Sequence, residues 1–230
     1  MNIEKIIDQT FLKKGVSEEE FKKICEETAK YGFRGFCVFP EYTKLAKGFL
    51  KGSGVKVTTL VDEPTGTSPH EKRMDMATKA KNDGSDEIDV VMKVDAFKNK
   101  KYDEVLEDLK EICKVLPTKV IIGSAYLTDE EIKKASEIVK EAGAICVKTA
   151  TVDDPLDHSE LDEKAKHVRI MKESAPGLLV KASAAIRSLA DVKMMIEAGA
   201  DIIGTSSGVE IVLEAKGESL NNIDDWRKIE

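Results

Sequence analysis

Residues 141–148 read EAGAICVK and residues 197–204 read EAGADIIG: a charged amphipathic segment closes on a small residue and a glycine, and a short apolar run follows at once. The same arrangement stands at 30–38 (KYGFRGFCV) and 82–91 (NDGSDEIDVV). Gly32, Gly84, Gly143 and Gly199 recur at about 50–60 residues. A glycine in this place closes a helix in the left-handed conformation that a Cβ disfavours. The chain then enters a buried strand, which is the grammar of a parallel sheet.

Working outward from these junctions, strands are expected over 33–39, 56–61, 87–92, 119–123, 145–149, 178–182 and 201–205, with a short one near 6–10. Helices are expected over 17–30, 69–82, 101–115, 128–142, 160–174, 188–198 and 206–214. Ser17 with Glu20 and Thr128 with Glu131 are capping boxes. Leu161, Ala165, Val168 and Met171 keep a helical period. Eight βα units in 230 residues fit a compact α/β chain of the (β/α)8 TIM-barrel class. The competitor, a doubly wound open sheet, usually opens on a glycine-rich first turn, and G-x-G-x-x-G is absent from this sequence. No Pro/Gly/Ser-rich linker divides 1–230, so one domain is expected. The tail beyond Glu214 is polar, with Trp226 as its large anchor.

Lys and Arg number 36 against 43 Asp and Glu, a formal net charge of −7. That balance disfavours nucleic acid as a partner. No apolar run approaches a membrane span, and Met1–Thr10 has no signal-peptide character. Cys25, Cys37, Cys113 and Cys146 form no C-x-x-C pair and read as reduced thiols, so a cytoplasmic location is expected. His70, His158 and His167 are scattered, so no metal site and no cofactor is expected. The acidic loop holding Asp153, Asp154, Asp157 and Glu160 reads as a solvated loop, and Tyr126 is a candidate for the mouth of the barrel.

Barrel strands should be apolar inside, yet Asp89, Lys148 and Lys181 interrupt three apolar runs, and Lys119 stands at the start of a fourth. A lone buried lysine is costly. If Lys148 and Lys181 share the lumen from adjacent strands, each ammonium disfavours the other, and burial acts in the same direction. One lysine is then expected to be a neutral, nucleophilic amine near pH 7. Such an amine forms a Schiff base with a carbonyl, and Asp89 is placed to move the proton that leaves the neighbouring carbon. The chemistry that follows is metal-free aldol addition.

At these residues the chain resembles deoxyribose-phosphate aldolase, a Schiff-base (class I) aldolase with a (β/α)8 fold. The resemblance covers nearly the whole chain. Its most specific parts are Ile7-Asp8-Gln9-Thr10, Glu87-Ile88-Asp89-Val90-Val91, Val147-Lys148-Thr149-Ala150-Thr151, Val180-Lys181-Ala182-Ser183 and Ile203-Gly204-Thr205-Ser206. It implies Lys148 as the Schiff-base lysine, Lys181 as the lysine that perturbs it, and Asp89 as the acid of the proton relay. It further implies that Asp8 and Thr10 position water and a substrate hydroxyl, that Thr151 lies beside the Schiff base, and that Lys119 is a further lumenal lysine. The implied reaction joins acetaldehyde reversibly to glyceraldehyde 3-phosphate. Small aldehydes and sugar phosphates are the implied ligands, and a homodimer through a helix face is compatible with the chain.

The chain departs from that pattern. Ala184-Ala185 stand where the family has Gly-Gly, and a Cβ obstructs backbone approach to phosphate. Val152, followed by Asp153 and Asp154, replaces a Gly, and two carboxylates there would repel an anion. Gly123 stands for a Glu of the fifth strand, Glu63 for an apolar residue before Pro64, and Lys93 and Asp95 for less charged residues. These substitutions suit a divergent or redesigned member with an unphosphorylated acceptor. The alternative keeps phosphate on Gly204, Ser206, Ser207 and the following helix N-terminus, with Arg187 assisting. A larger ketone donor is a near rival. A catalytically silent barrel that binds an anion or a partner is the reading from another class.

Overall fold

The strands fall where the apolar runs lie. They are β1 (Ile7–Phe11), β2 (Gly35–Val38), β3 (Lys56–Val61), β4 (Glu87–Val91), β5 (Thr118–Ile121), β6 (Cys146–Lys148), β7 (Leu179–Ser183) and β8 (Ile202–Thr205). Each pairs in parallel with its sequence neighbour, and β8 returns to β1, closing an eight-stranded barrel. This computed structural model describes residues 2–151 and 154–219; Val152, Asp153 and Trp226 lie outside the described residues.

The surrounding helices are α1 (Glu18–Tyr31), α2 (Thr43–Phe49), α3 (His70–Asn82), α4 (Val94–Lys98), α5 (Tyr102–Cys113), α6 (Asp129–Glu141), α7 (Leu161–Ser174), α8 (Leu189–Glu197) and α9 (Gly208–Lys216). Both expected capping boxes form, with Ser17 and Thr128 each accepting from the N3 amide while Glu20 and Glu131 reach back. A third, Ser188 with Asp191, opens α8. The glycines at the four repeated junctions all hold positive φ: 63° at Gly32, 93° at Gly84, 81° at Gly143 and 107° at Gly199. Two helices, α2 and α4, escape the sequence pattern because they span only seven and five residues. That is too little for a 3.6-residue period to declare itself.

The main core lies between barrel and helices, built from β-strand Val and Ile residues against the inner faces of α3 and α5 to α9. A second cluster, with Phe21, Phe36, Phe39 and Tyr42, fills the space around β2 and α2. The strand expected over 119–123 stops at Ile121. Gly123 then takes φ +63° and opens a short 3-10 turn, Ser124–Tyr126.

The turn after β7 carries the most unusual backbone. Ala184 and Ala185 hold φ +70° and +59°. Left-handed backbone costs a residue with a Cβ roughly 1–2 kcal/mol. The chain therefore keeps the shape a glycine pair would give, and adds two methyl groups to it.

Candidate active site

Register places the ionisable strand residues together. Lys148 and Lys181 are direct partners across β6 and β7, and Asp89 pairs with Lys119 across β4 and β5. Alternation turns all four into the lumen, where they meet on one carboxylate. Asp89 Oδ2 accepts from Lys148 Nζ at 2.7 Å and Lys181 Nζ at 2.9 Å, and its Oδ1 accepts from Lys119 Nζ at 2.8 Å. Lys181 also donates to Asp8 Oδ2 at 2.6 Å, and Lys119 lies 2.8 Å from Glu87 Oε2. Arg34 closes the bottom of the lumen, with NH1 on Asp8 at 2.7 Å and NH2 on Glu87 at 2.9 Å.

Burial alone would raise the Asp89 carboxyl, but the ammoniums of Lys119, Lys148 and Lys181 outweigh it and hold it well below the usual carboxylate range. Burial opposes the charge of Asp8 too, and Lys181, Lys119 and Arg34 reverse that. Glu87 is brought down to about 2, with burial overcome by Lys119, Lys56 and Arg34. In the opposite sense, burial disfavours the Lys181 ammonium, and Asp8 and Asp89 more than restore it. Lys119 is likewise held charged, by Asp89 first, with Asp8 and Glu87 adding to it against burial and Lys181. Burial and the Asp89 charge push the Cys37 thiol up, so it is an inert thiol beside the site.

These shifts make acid stability testable. A carboxyl depressed in the fold contributes stability that is fully present above its unfolded value, about 4, and is lost as pH falls through the folded one. We expect the unfolding midpoint to be flat above about pH 5 and to drop steeply between pH 4 and about 2, the range set by Glu87. Thermal melts across that range check this, and a midpoint unchanged down to pH 2 would contradict the ion network.

Above the network lies a cavity of about 650 Å³. Of the lysines bonded to Asp89, Lys148 lines it, and its side chain keeps 5% exposure against 0% for Lys119 and Lys181. Thr10, Thr151, Arg187, Gly204, Ser206 and Ser207 line the same cavity. Asp8 and Lys119 do not line it and are fully buried. Their ion pairs turn them inward, where they fix Lys181 and Asp89.

Gln9 is a residue the sequence reading passed over. Its amide donates to Ser206 O at 3.0 Å and accepts from the Gly208 amide at 3.0 Å, tying β1 to the start of α9. A Cβ on Gly208 would press on Gln9 Oε1 and on the Ile7 and Phe33 side chains, so a larger residue there would displace the Gln9 amide. Ser183 was also missed as a site residue. It lines the cavity, and its hydroxyl, like that of Thr151, is buried without a hydrogen-bond partner among the described residues.

Ala184 and Ala185 line this cavity, and Glu63, Lys93, Asp95, Gly123 and Tyr126 are not among its lining residues. Asp154 is not a bare charge at the mouth, because Lys164 Nζ sits 2.6 Å from its Oδ2. Burial pushes Lys164 toward its neutral form, and Asp154 works against that. His167 is not isolated either: the fold brings it to Asp129 and Glu163. Lys166 already bridges those carboxylates at 2.9 and 3.1 Å, so the group is an ion-pair cluster. No helix among the described residues is long and apolar enough to cross a membrane.

A family model described as DeoC/LacD family aldolase matches residues 3–213. A deoxyribose-phosphate aldolase of Caldanaerobacter subterraneus subsp. tengcongensis is 42% identical over 226 residues, covering 96% of this chain and 96% of that protein. One from Thermococcus gammatolerans is 42% identical over 224 residues, covering 94% of this chain and 97% of its own. Among solved structures, an aldolase called QR15 superposes with a TM-score of 0.86 at 38% identity, covering 99% of each chain.

Proposed function

The chain belongs to the DeoC/LacD family of aldolases, carbon–carbon lyases on a (β/α)8 barrel, and from that premise we propose that it works through a Schiff base on Lys148. One observation carries the choice of lysine. Three lysines converge on Asp89, and Lys148 is the one that reaches the cavity. Charge counting supports it. Lys119, Lys181 and Arg34 match the three carboxylates of Asp8, Glu87 and Asp89. Lys148 is a fourth cation beside that set, and attack on a carbonyl requires an amine without its extra proton.

The Lys148 amine adds to the carbonyl carbon of acetaldehyde, giving a carbinolamine whose hydroxyl leaves as water. The resulting iminium draws electrons from the neighbouring carbon, which gives up a proton to form an enamine. Asp89, 2.7 Å from Nζ, takes and returns protons directly or through water. The enamine carbon attacks the acceptor aldehyde, and water then hydrolyses the new iminium to release product and free the amine. Lys181 remains a fixed positive charge on Oδ2 of Asp89, the same atom that holds Lys148. Acetaldehyde as donor and glyceraldehyde 3-phosphate as acceptor are the substrates we assign.

Borohydride reduction in the presence of acetaldehyde tests the Schiff base. One ethyl group should be found on the peptide containing Lys148. Either an unmodified protein, which favours a silent barrel, or a label on another lysine, which moves the nucleophile there, overturns the assignment.

Phosphate recognition is assigned to Arg187, Ser206 and Ser207, which line the cavity together just ahead of α9. Arg187→Gln should raise KM for 2-deoxyribose 5-phosphate about tenfold, a loss of ~1.4 kcal/mol, and leave cleavage of unphosphorylated 2-deoxyribose nearly unaltered. The methyls of Ala184 and Ala185 in the cavity wall favour a second reading, an unphosphorylated acceptor. Equal kcat/KM for the sugar and its phosphate ester would select it.

A further inference from the structure

Lys164 is a buried cation that the proposed reaction does not use. It lies on the inner face of α7 with no exposure to solvent. Burying an ammonium is costly, and it persists where all of its donors are met. Here each has an acceptor: Asp154 Oδ2 at 2.6 Å, Ser183 O at 2.9 Å and Ala184 O at 2.8 Å. One nitrogen thus ties the loop after β6 to the turn after β7.

That turn is the one whose alanines hold φ +70° and +59°. Strained backbone of this kind lasts only where its surroundings over-determine it. Thr149 supplies part of the restraint, donating to Ser183 O at 3.2 Å and accepting from the Ser183 amide at 3.0 Å. Thr205 Oγ1 holds Ile186 O at 2.7 Å further along, and Lys164 is the group that grips Ala184 itself. Ser183 through Arg187 then line the cavity into which Lys148 opens.

We propose that Lys164 is a positioning residue: seated on Asp154 and on two carbonyls of the left-handed turn, it sets the shape of the cavity wall that receives the acceptor part of the substrate. It touches no substrate and acts through the turn. The inference rests on the Schiff-base reading above for the location of the acceptor.

The test is a cycle of variants in the full chain, read by cleavage of 2-deoxyribose 5-phosphate. Lys164→Met should raise KM about tenfold, equivalent to ~1.4 kcal/mol, with a smaller change in kcat. Glycine takes positive φ without a Cβ penalty, so a turn carrying Ala184→Gly and Ala185→Gly no longer needs the clamp. Adding Lys164→Met to that glycine pair should shift KM less than about twofold. A KM indifferent to Lys164→Met, or a shift of the same size in both backgrounds, overturns the proposal. Should Lys164→Met fail to fold, Asp154→Asn takes its place, with an expected rise of about threefold that glycine also suppresses; no rise, or no suppression, counts against the clamp. Borohydride trapping with acetaldehyde keeps the two ideas apart. An ethyl group on Lys148 in a variant with altered KM isolates the turn, while failure to trap in the parent protein sinks the Schiff base instead.

Discussion

Lys148→Leu should abolish aldol cleavage and leave the protein at least as stable as the parent. The first half follows from the nucleophile: without the amine there is no iminium, and loss of a covalent nucleophile costs on the order of 10⁴-fold or more in rate. The second half follows from the ion network. Lys148 contributes one bond, to Asp89 Oδ2, and that atom still accepts from Lys181 at 2.9 Å when Lys148 is gone. Lys119, Lys181 and Arg34 continue to match Asp8, Glu87 and Asp89, so no carboxylate is stranded. Replacing a buried charge by an apolar side chain of similar length is often neutral or stabilising when its partner stays satisfied. Thermal melts with kinetics on the same preparation check both halves. A large fall in the melting midpoint would place Lys148 among the structural members of the network. Residual turnover above about 1% of the parent would remove it from the chemistry.

The difference between the lysine that opens to the cavity and the two buried beneath it was only half visible in the chain. Strand alternation, read from the apolar runs, brings Lys148 and Lys181 to one lumen because side chains alternate with a period of two. The same rule puts Glu87 beside Asp89, two residues apart on one strand, and so announces a second lumenal carboxylate. Arg34 carries no such signal. It precedes β2, and only the closed barrel brings it to Asp8 and Glu87. Depth along the barrel axis was equally hidden. Asp8 and Lys119 share the lumen with Lys148, but sequence alone does not say which lies at the cavity and which beneath it.

The expectation that Lys181 acts on Lys148 as a neighbouring like charge also changes form. The two nitrogens do not face each other across empty space; they share one carboxylate oxygen. Lys181 is therefore placed to act on Lys148 both directly, as a like charge on the same oxygen, and through Asp89, whose negative charge it partly engages. Lys164 was legible and overlooked. In the run Leu161, Ala165, Val168, Met171 the helical period also admits 164, three residues on from Leu161, and that face is buried. A lysine on a buried helix face asks for acceptors, and the left-handed turn supplies them.

Asp89→Asn should separate the two functions that meet at Asp89. The asparagine offers one oxygen to three lysines and turns an N–H toward at least one ammonium. Arg34, Lys119, Lys148 and Lys181 would then face only Asp8 and Glu87. Breaking a buried ion network in this way typically costs about 3–5 kcal/mol. The folded protein can relieve part of that by releasing a proton from a lysine, which makes the loss depend on pH. A lysine whose folded value falls below its unfolded one, about 10.4, binds fewer protons in the fold, so stability rises with pH across that interval. The deficit against the parent should therefore shrink as pH is raised from 7 to 9. Turnover should fall by about 10²–10⁴-fold, the usual worth of a positioned acid–base group. Trapping of acetaldehyde by borohydride should survive, because the amine itself remains and still opens to the cavity. Loss of trapping along with turnover would instead make Asp89 essential to forming the imine, and a deficit that stays constant from pH 7 to 9 would show that the lysines keep all their protons.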